Sequence, residues 1–127
     1  MTQDYKDFTE YISINYKDVP VVEIGIGSDF RVFEKLKRNG IDVRAIDIGP
    51  STSDVIKDDV LNPDMEIYEG CGLIYSIRPP QELVPYIEEV ARSAGADLII
   101  RPLLTDDAPK NGKLINYKSA VFYKIIL

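Results

Sequence analysis

The run Val21-Val22-Glu23-Ile24-Gly25-Ile26-Gly27-Ser28-Asp29-Phe30 constrains this chain more than any other stretch. It reads as a nearly unbroken apolar strand, Val21 to Ile26, that breaks at two glycines into a helix. A strand apolar on both faces belongs in a parallel sheet covered by helices on each side. Glycine serves at the turn because the backbone must bend sharply there and admit a ligand with no Cβ in its way. Twenty residues after Gly27, Asp47 stands in a second apolar run, Val43 to Ile48. An acid at that place serves a ribose diol, and strand, glycine turn, helix and distant acid together are the layout of a nucleotide pocket.

The rest of the chain continues the alternation. Tyr5, Phe8, Ile12 and Tyr16 recur at helical spacing and predict an N-terminal helix, residues 4–15, packed on the sheet. Ser28 or Asp29 can cap a helix that carries Val32, Phe33 and Leu36 to a stop at Gly40. Asp54 to Val60 reads as a short third strand ending in Asp58-Asp59, and Leu73 to Ile77 as a fourth. Glu82 to Ala94 follows as a helix whose regular part starts near Val84, because Pro85 is tolerated only in a first turn. Ala96 to Ile100 is a fifth strand. Lys113 to Tyr117 and Ala120 to Ile126, broken at Lys118-Ser119, then read as an antiparallel hairpin. The expected fold is α/β: one three-layer, Rossmann-like domain over residues 1–127, with a mostly parallel sheet, a C-terminal hairpin and abbreviated second and third crossovers.

Composition removes several kinds of chemistry. With 127 residues the chain supports one core, and its single cysteine allows no internal disulfide. It contains no histidine, which removes zinc sites of the usual ligand types and every Ser-His-Asp or Cys-His mechanism. No metal site is expected. Apolar runs fall far short of the roughly 20 residues of a membrane span and the N-terminus is acidic and polar, so a cytoplasmic protein is expected. A net charge of −6 opposes unassisted binding of nucleic acid.

The glycine turn departs from the dinucleotide fingerprint at its third glycine, where Phe30 stands, and it places Asp29 at the helix N-terminus. A carboxylate there competes with a pyrophosphate for the free amides and repels it. A ligand carrying an ammonium group is instead attracted by Glu23 or Asp29. Here two resemblances enter. Glu23-Ile24-Gly25-Ile26-Gly27 resembles the first motif of class I S-adenosylmethionine-dependent methyltransferases, acidic-x-Gly-x-Gly; Asp47 matches their ribose acid, and Asp58-Asp59-Val60 falls where they carry an adenine-contacting acid. Almost end to end, the chain is also similar to an uncharacterised archaeal family of small Rossmann-like proteins, through Val22 to Gly27, Ile77-Arg78-Pro79-Pro80 and Leu98-Ile99-Ile100-Arg101-Pro102-Leu103. The first resemblance implies S-adenosylmethionine as cofactor, held by Glu23, Gly25, Gly27, Asp47, Asp58 and Asp59. Family members that methylate amino groups commonly carry Asn or Asp, Pro-Pro and an aromatic residue after the fourth strand. Ser76-Ile77-Arg78-Pro79-Pro80-Gln81 keeps the prolines only, and an arginine cannot accept a hydrogen bond from an amine.

Arg78 and Arg101 form a second constellation, each directly before a proline at the end of an expected strand. Two guanidiniums there can fork onto a carboxylate or phosphate, or can pair with Glu82, Asp106 or Asp107 as surface bridges. Cys71 is expected as a small buried residue, and Tyr117 and Tyr123 as strand packing. The functional reading is a small-molecule adenosine ligand, S-adenosylmethionine or a relative, with methyl transfer to an unidentified acceptor. A catalytically silent nucleotide-binding or protein-interaction module stands beside it, and an NAD(P)-binding protein third.

Overall fold

β1 (Val21–Ile24) sits between β2 (Val43–Asp47) and β4 (Leu73–Ile77), parallel to both, in a computed structural model that describes residues 1–127. β3 (Ile56–Lys57) extends the sheet beyond β2, and β5 (Asp97–Arg101) lies beside β4. The hairpin β6 (Gly112–Tyr117) and β7 (Ala120–Ile125) closes the sheet with β7 antiparallel to β5, giving the order β3-β2-β1-β4-β5-β7-β6. The path runs outward from β1 to β3 and then returns to β4. That reversal leaves a crevice at the carboxyl ends of β1 and β4, where open α/β sheets bind ligands.

Pleat alternation sorts the core into two layers. Val21, Leu73, Tyr75 and Ile99 face α1 (Gln3–Asn15) and α2 (Arg31–Arg38), among Phe8, Ile12, Phe33 and Leu36. Val22, Ile24, Ile74 and Leu98 face α3 (Val84–Ala94), among Ile87, Val90 and Tyr68. The fold is therefore the expected mostly parallel α/β sheet with a C-terminal antiparallel pair. The Tyr5, Phe8, Ile12 and Tyr16 stripe is buried as its spacing requires. Phe8 sets its ring edge to face against Tyr75 and Phe122, 6.0 and 5.1 Å away, fixing α1 over β4 and β7.

Three local expectations need correction. The third strand is only Ile56–Lys57, because the Val55 amide turns back to Thr52 and, after Asp58 donates one more ladder bond to Asp47, the Asp58 side chain is drawn toward Tyr68. The stretch between the third and fourth expected strands, to which the sequence pattern assigns no element, contains a 3₁₀ turn, Met65–Tyr68, with the Asp64 carboxylate accepting from the Glu66 amide. α2 begins at Arg31 behind Phe30; Asp29 reaches the Arg31 amide at 3.2 Å and otherwise grips the Arg31 guanidinium, while Ser28 caps nothing. No helix is long and apolar enough to cross a membrane.

Candidate ligand site at the carboxyl edge of the sheet

Gly25 and Gly27 carry the chain off β1 with φ of +75° and +59°, a region that costs other residues about 1–2 kcal/mol each. A Cβ at Gly27 would meet nothing within 4 Å, so this turn is open on its outer side. Asp47, at the end of β2, faces it. Its Oδ2 accepts from the Gly27 amide at 2.8 Å and its Oδ1 from the Gly49 amide at 2.9 Å, binding the loops after β1 and β2 into one rim. Each carboxylate oxygen retains a lone pair for a further donor. Beside it Ile48 is 65% exposed, an apolar shelf on the same rim. Sequence reasoning missed Ile48, although a large apolar residue between an acid and Gly49-Pro50 was a visible signal.

Glu23 is 2% exposed and accepts a 2.5 Å hydrogen bond from the Tyr75 hydroxyl. Burial pushes its carboxyl up to about 8, with the nearby Asp29 charge acting in the same direction and the Tyr75 bond opposing both. Glu23 and Asp29 share a small pocket of about 100 Å³ with Gly25, Tyr5, Val32 and Arg78. The Asp29 carboxyl is held below its usual range by the Arg31 guanidinium hydrogen-bonded to it. The first turn of α2 thus already carries a carboxylate, and Phe30 packs edge to face on Phe33 where a dinucleotide fold needs glycine.

The remaining expected residues divide. Asp58 is 8% exposed with both oxygens engaged, Oδ1 by the Asp64 amide at 3.0 Å and Oδ2 by the Tyr68 hydroxyl at 2.5 Å. Asp59 is half-buried and uses one oxygen on the Leu61 amide. Arg78 and Arg101 do stand together: their strand partners lie in register, and the Arg78 amide donates to the Arg101 carbonyl at 2.7 Å. Neither pairs with Glu82, Asp106 or Asp107. Arg101 instead forms an ion pair with Asp4 of α1, and Arg78 donates to the Tyr5 hydroxyl at 2.6 Å. Cys71 is buried, its thiol pushed up by that burial, and the Tyr117 hydroxyl donates to Glu10 of α1.

A profile of the uncharacterised protein family UPF0146 matches residues 5–127. The chain belongs to that family. Among its UPF0146 relatives, one from Archaeoglobus fulgidus is 45% identical over 120 residues, 91% of this chain and 90% of the relative. Another, from Methanocaldococcus jannaschii, is 43% identical over 111 residues, 81% of this chain and 80% of the relative. Solved methyltransferases share the UPF0146 fold at low identity. An S-adenosyl-L-methionine methyl transferase of Silicibacter pomeroyi superposes with a TM-score of 0.59 at 12% identity, covering 98% of this chain and 91% of that one. The methyltransferase MycE of the mycinamycin biosynthetic pathway, solved with magnesium and S-adenosylhomocysteine, gives 0.53 at 15% identity, covering 95% of this chain and 46% of its own. UPF0146 is thus an archaeal family with a methyltransferase-like fold.

Proposed function

We propose that the rim over Gly25, Gly27 and Asp47 binds S-adenosylmethionine or a close adenosine relative. The observation that carries this reading is the Asp47 carboxylate held at 2.8 Å on the Gly27 amide, at the topological reversal of the sheet. In this reading Asp47 accepts from the ribose hydroxyls, and Ile48 lies under the adenine with Asp59 at its edge. Gly25 and Gly27 let the ligand pass close to the backbone, and the Asp29 carboxylate draws its ammonium group to the small pocket, where the buried Glu23 offers a neutral carboxyl. Asp58, spent on Tyr68 and Asp64, contributes by fixing the loop that carries Asp59. When bound, S-adenosylmethionine supplies a transferable sulfonium methyl. The residues here orient it and exclude water, and alignment alone can account for much of a methyl transfer.

The carboxylate on the first turn of α2 argues against NAD, whose pyrophosphate needs those amides. A second reading, binding without turnover, rests on one feature: Tyr5, Glu23, Asp29 and Arg78 around the small pocket are each already engaged by a protein partner. Both readings share the binding step. Adding S-adenosylhomocysteine to isotope-labelled protein should shift the Gly25, Gly27 and Gly49 amide resonances before any others. Shifts confined to the far end of the sheet would refute the placement.

A further inference from the structure

The small pocket beside Glu23 does not end at Tyr5 and Arg78. The same two residues form one wall of a larger cleft of about 550 Å³, lined also by Asp4, Arg101, Leu103 and Val121. The two spaces differ in what else lines them. Arg78 belongs to both; the smaller adds Glu23 and Asp29, and the larger adds Arg101 together with Asp4. Tyr5 stands between the guanidiniums: Arg101 Cζ lies 4.3 Å from its ring centroid, and Arg78 Nη2 donates to its hydroxyl.

Neither guanidinium is fully used. Arg78 takes part in no ion pair, and it holds φ of +52°, a conformation uncommon outside glycine that is fixed by its amide bond to the Arg101 carbonyl. Arg101 engages Asp4 through Nη2 alone, while its Nη1 is buried with no hydrogen-bond partner. A buried donor without a partner is costly, and a guanidinium reaches its best geometry when both prongs meet two oxygens. Asp4, for its part, is held by the Thr2 hydroxyl and sits at the partly exposed start of α1. It is a carboxylate of the protein standing where an external one would stand.

We propose that this cleft binds a carboxylate or phosphate group borne on an apolar body, in exchange for Asp4, and that it is the acceptor side of the adenosine-ligand site. The oxyanion lies between Arg78 and Arg101, forked onto the second as Asp4 is not. The apolar body rests on Tyr5, Leu103 and Val121. Its role as an acceptor site rests on the adenosine reading above; its binding of anions does not.

The test is titration of the full chain with benzoate, phenyl phosphate and benzyl alcohol, followed by calorimetry and by the arginine side-chain resonances. The two anions should bind saturably and shift the Arg78 and Arg101 signals, with benzyl alcohol at least about tenfold weaker, as loss of a charge-assisted hydrogen bond implies. Whichever anion binds tighter identifies the head group and supports the proposal. Asp4→Asn should tighten anion binding severalfold by removing the competitor, and Arg78→Gln should weaken it about tenfold. Equal response to all three probes, or anion binding unchanged in a folded Asp4→Asn, would overturn the proposal. If Asp4→Asn does not fold, the wild-type titration and Arg78→Gln decide it. Anion binding without any S-adenosylhomocysteine binding would remove the acceptor role and the adenosine reading while leaving the cleft; the reverse result would remove the cleft alone.

Discussion

Tyr75 donates a 2.5 Å hydrogen bond to Glu23 across β4 and β1, where the two residues are direct partners in the parallel register. Both are buried, and the Glu23 carboxyl titrates near 8 rather than at its ordinary 4.5, chiefly because burial disfavours its charged form. Between those values the unfolded chain has lost a proton that the folded chain keeps. Stability therefore falls as pH rises through that window and is indifferent to Glu23 outside it, with a slope of up to about 1.4 kcal/mol per pH unit. Denaturant melts at about pH 5, 6.5 and 8 should show this decline in the wild type and a flatter profile in Glu23→Gln, which stays neutral. Parallel profiles would mean that Glu23 is charged in the folded state.

Asp47 does two things in the free protein, accepting from the Gly27 and Gly49 amides, so it organises the rim before any ligand arrives. Asp47→Ala should weaken S-adenosylhomocysteine by about 1.5–3 kcal/mol, the worth of a hydrogen bond to a charged acceptor, and leave the domain folded. Calorimetry on a variant whose circular dichroism is unchanged measures it. Binding at wild-type strength would reduce Asp47 to a loop tie.

Much of this architecture was legible because β1, β2, β4 and β5 are short apolar runs between turn residues, and α1 shows its buried stripe at helical spacing. β3 was overestimated, since nothing local to Asp54 to Val60 reports that Asp58 is captured by a tyrosine ten residues on. The glycine pair and Asp47 were readable as a local pattern. The partners of Glu23 and Arg101 were not: those contacts join residues 52 and 97 positions apart, and only the packing of β1 on β4 and of α1 over the sheet brings them together. For the same reason Gly25→Val cannot be judged from bulk alone. The nearest atom to a Cβ there is Ser76 Oγ at 4.0 Å, so the first side-chain carbon carries a penalty of backbone conformation, not of collision.

Gly72, like Gly112, is a glycine that packing demands. A Cβ there would lie 2.6 Å from Val19 Cγ2, on a stretch where the Gly72 amide bonds the Pro20 carbonyl. Gly72→Ala should destabilise the domain by about 1–3 kcal/mol, as overpacking does, and Val19→Gly, which removes the Val19 Cβ at 2.7 Å as well as Cγ2, should recover part of that loss in the double variant. Thermal melts of the four proteins give the coupling, and strict additivity would show that the collision is relieved some other way.

The adjacent acids after β3 should separate by assay. Tyr68→Phe removes a donor from buried Asp58 and should cost about 1.5–3 kcal/mol of stability. Asp59→Ala should cost under about 1 kcal/mol of stability, because the residue is half-buried and ties one amide, while lowering affinity for S-adenosylhomocysteine. Melts and calorimetry on the same preparations check both, and an Asp59→Ala protein with intact affinity would free the adenine edge of any acid.

The most direct measurement is the melting temperature of the full chain with S-adenosylhomocysteine, NAD or ATP in excess. At about 100 times the dissociation constant a specific ligand adds roughly 2.7 kcal/mol, a shift of several degrees in a domain of this size. The rim of Gly27 and Asp47, with Asp29 at the head of α2, predicts a saturable rise with S-adenosylhomocysteine and none with NAD. A rise with NAD alone, or no rise with any of the three, would contradict it.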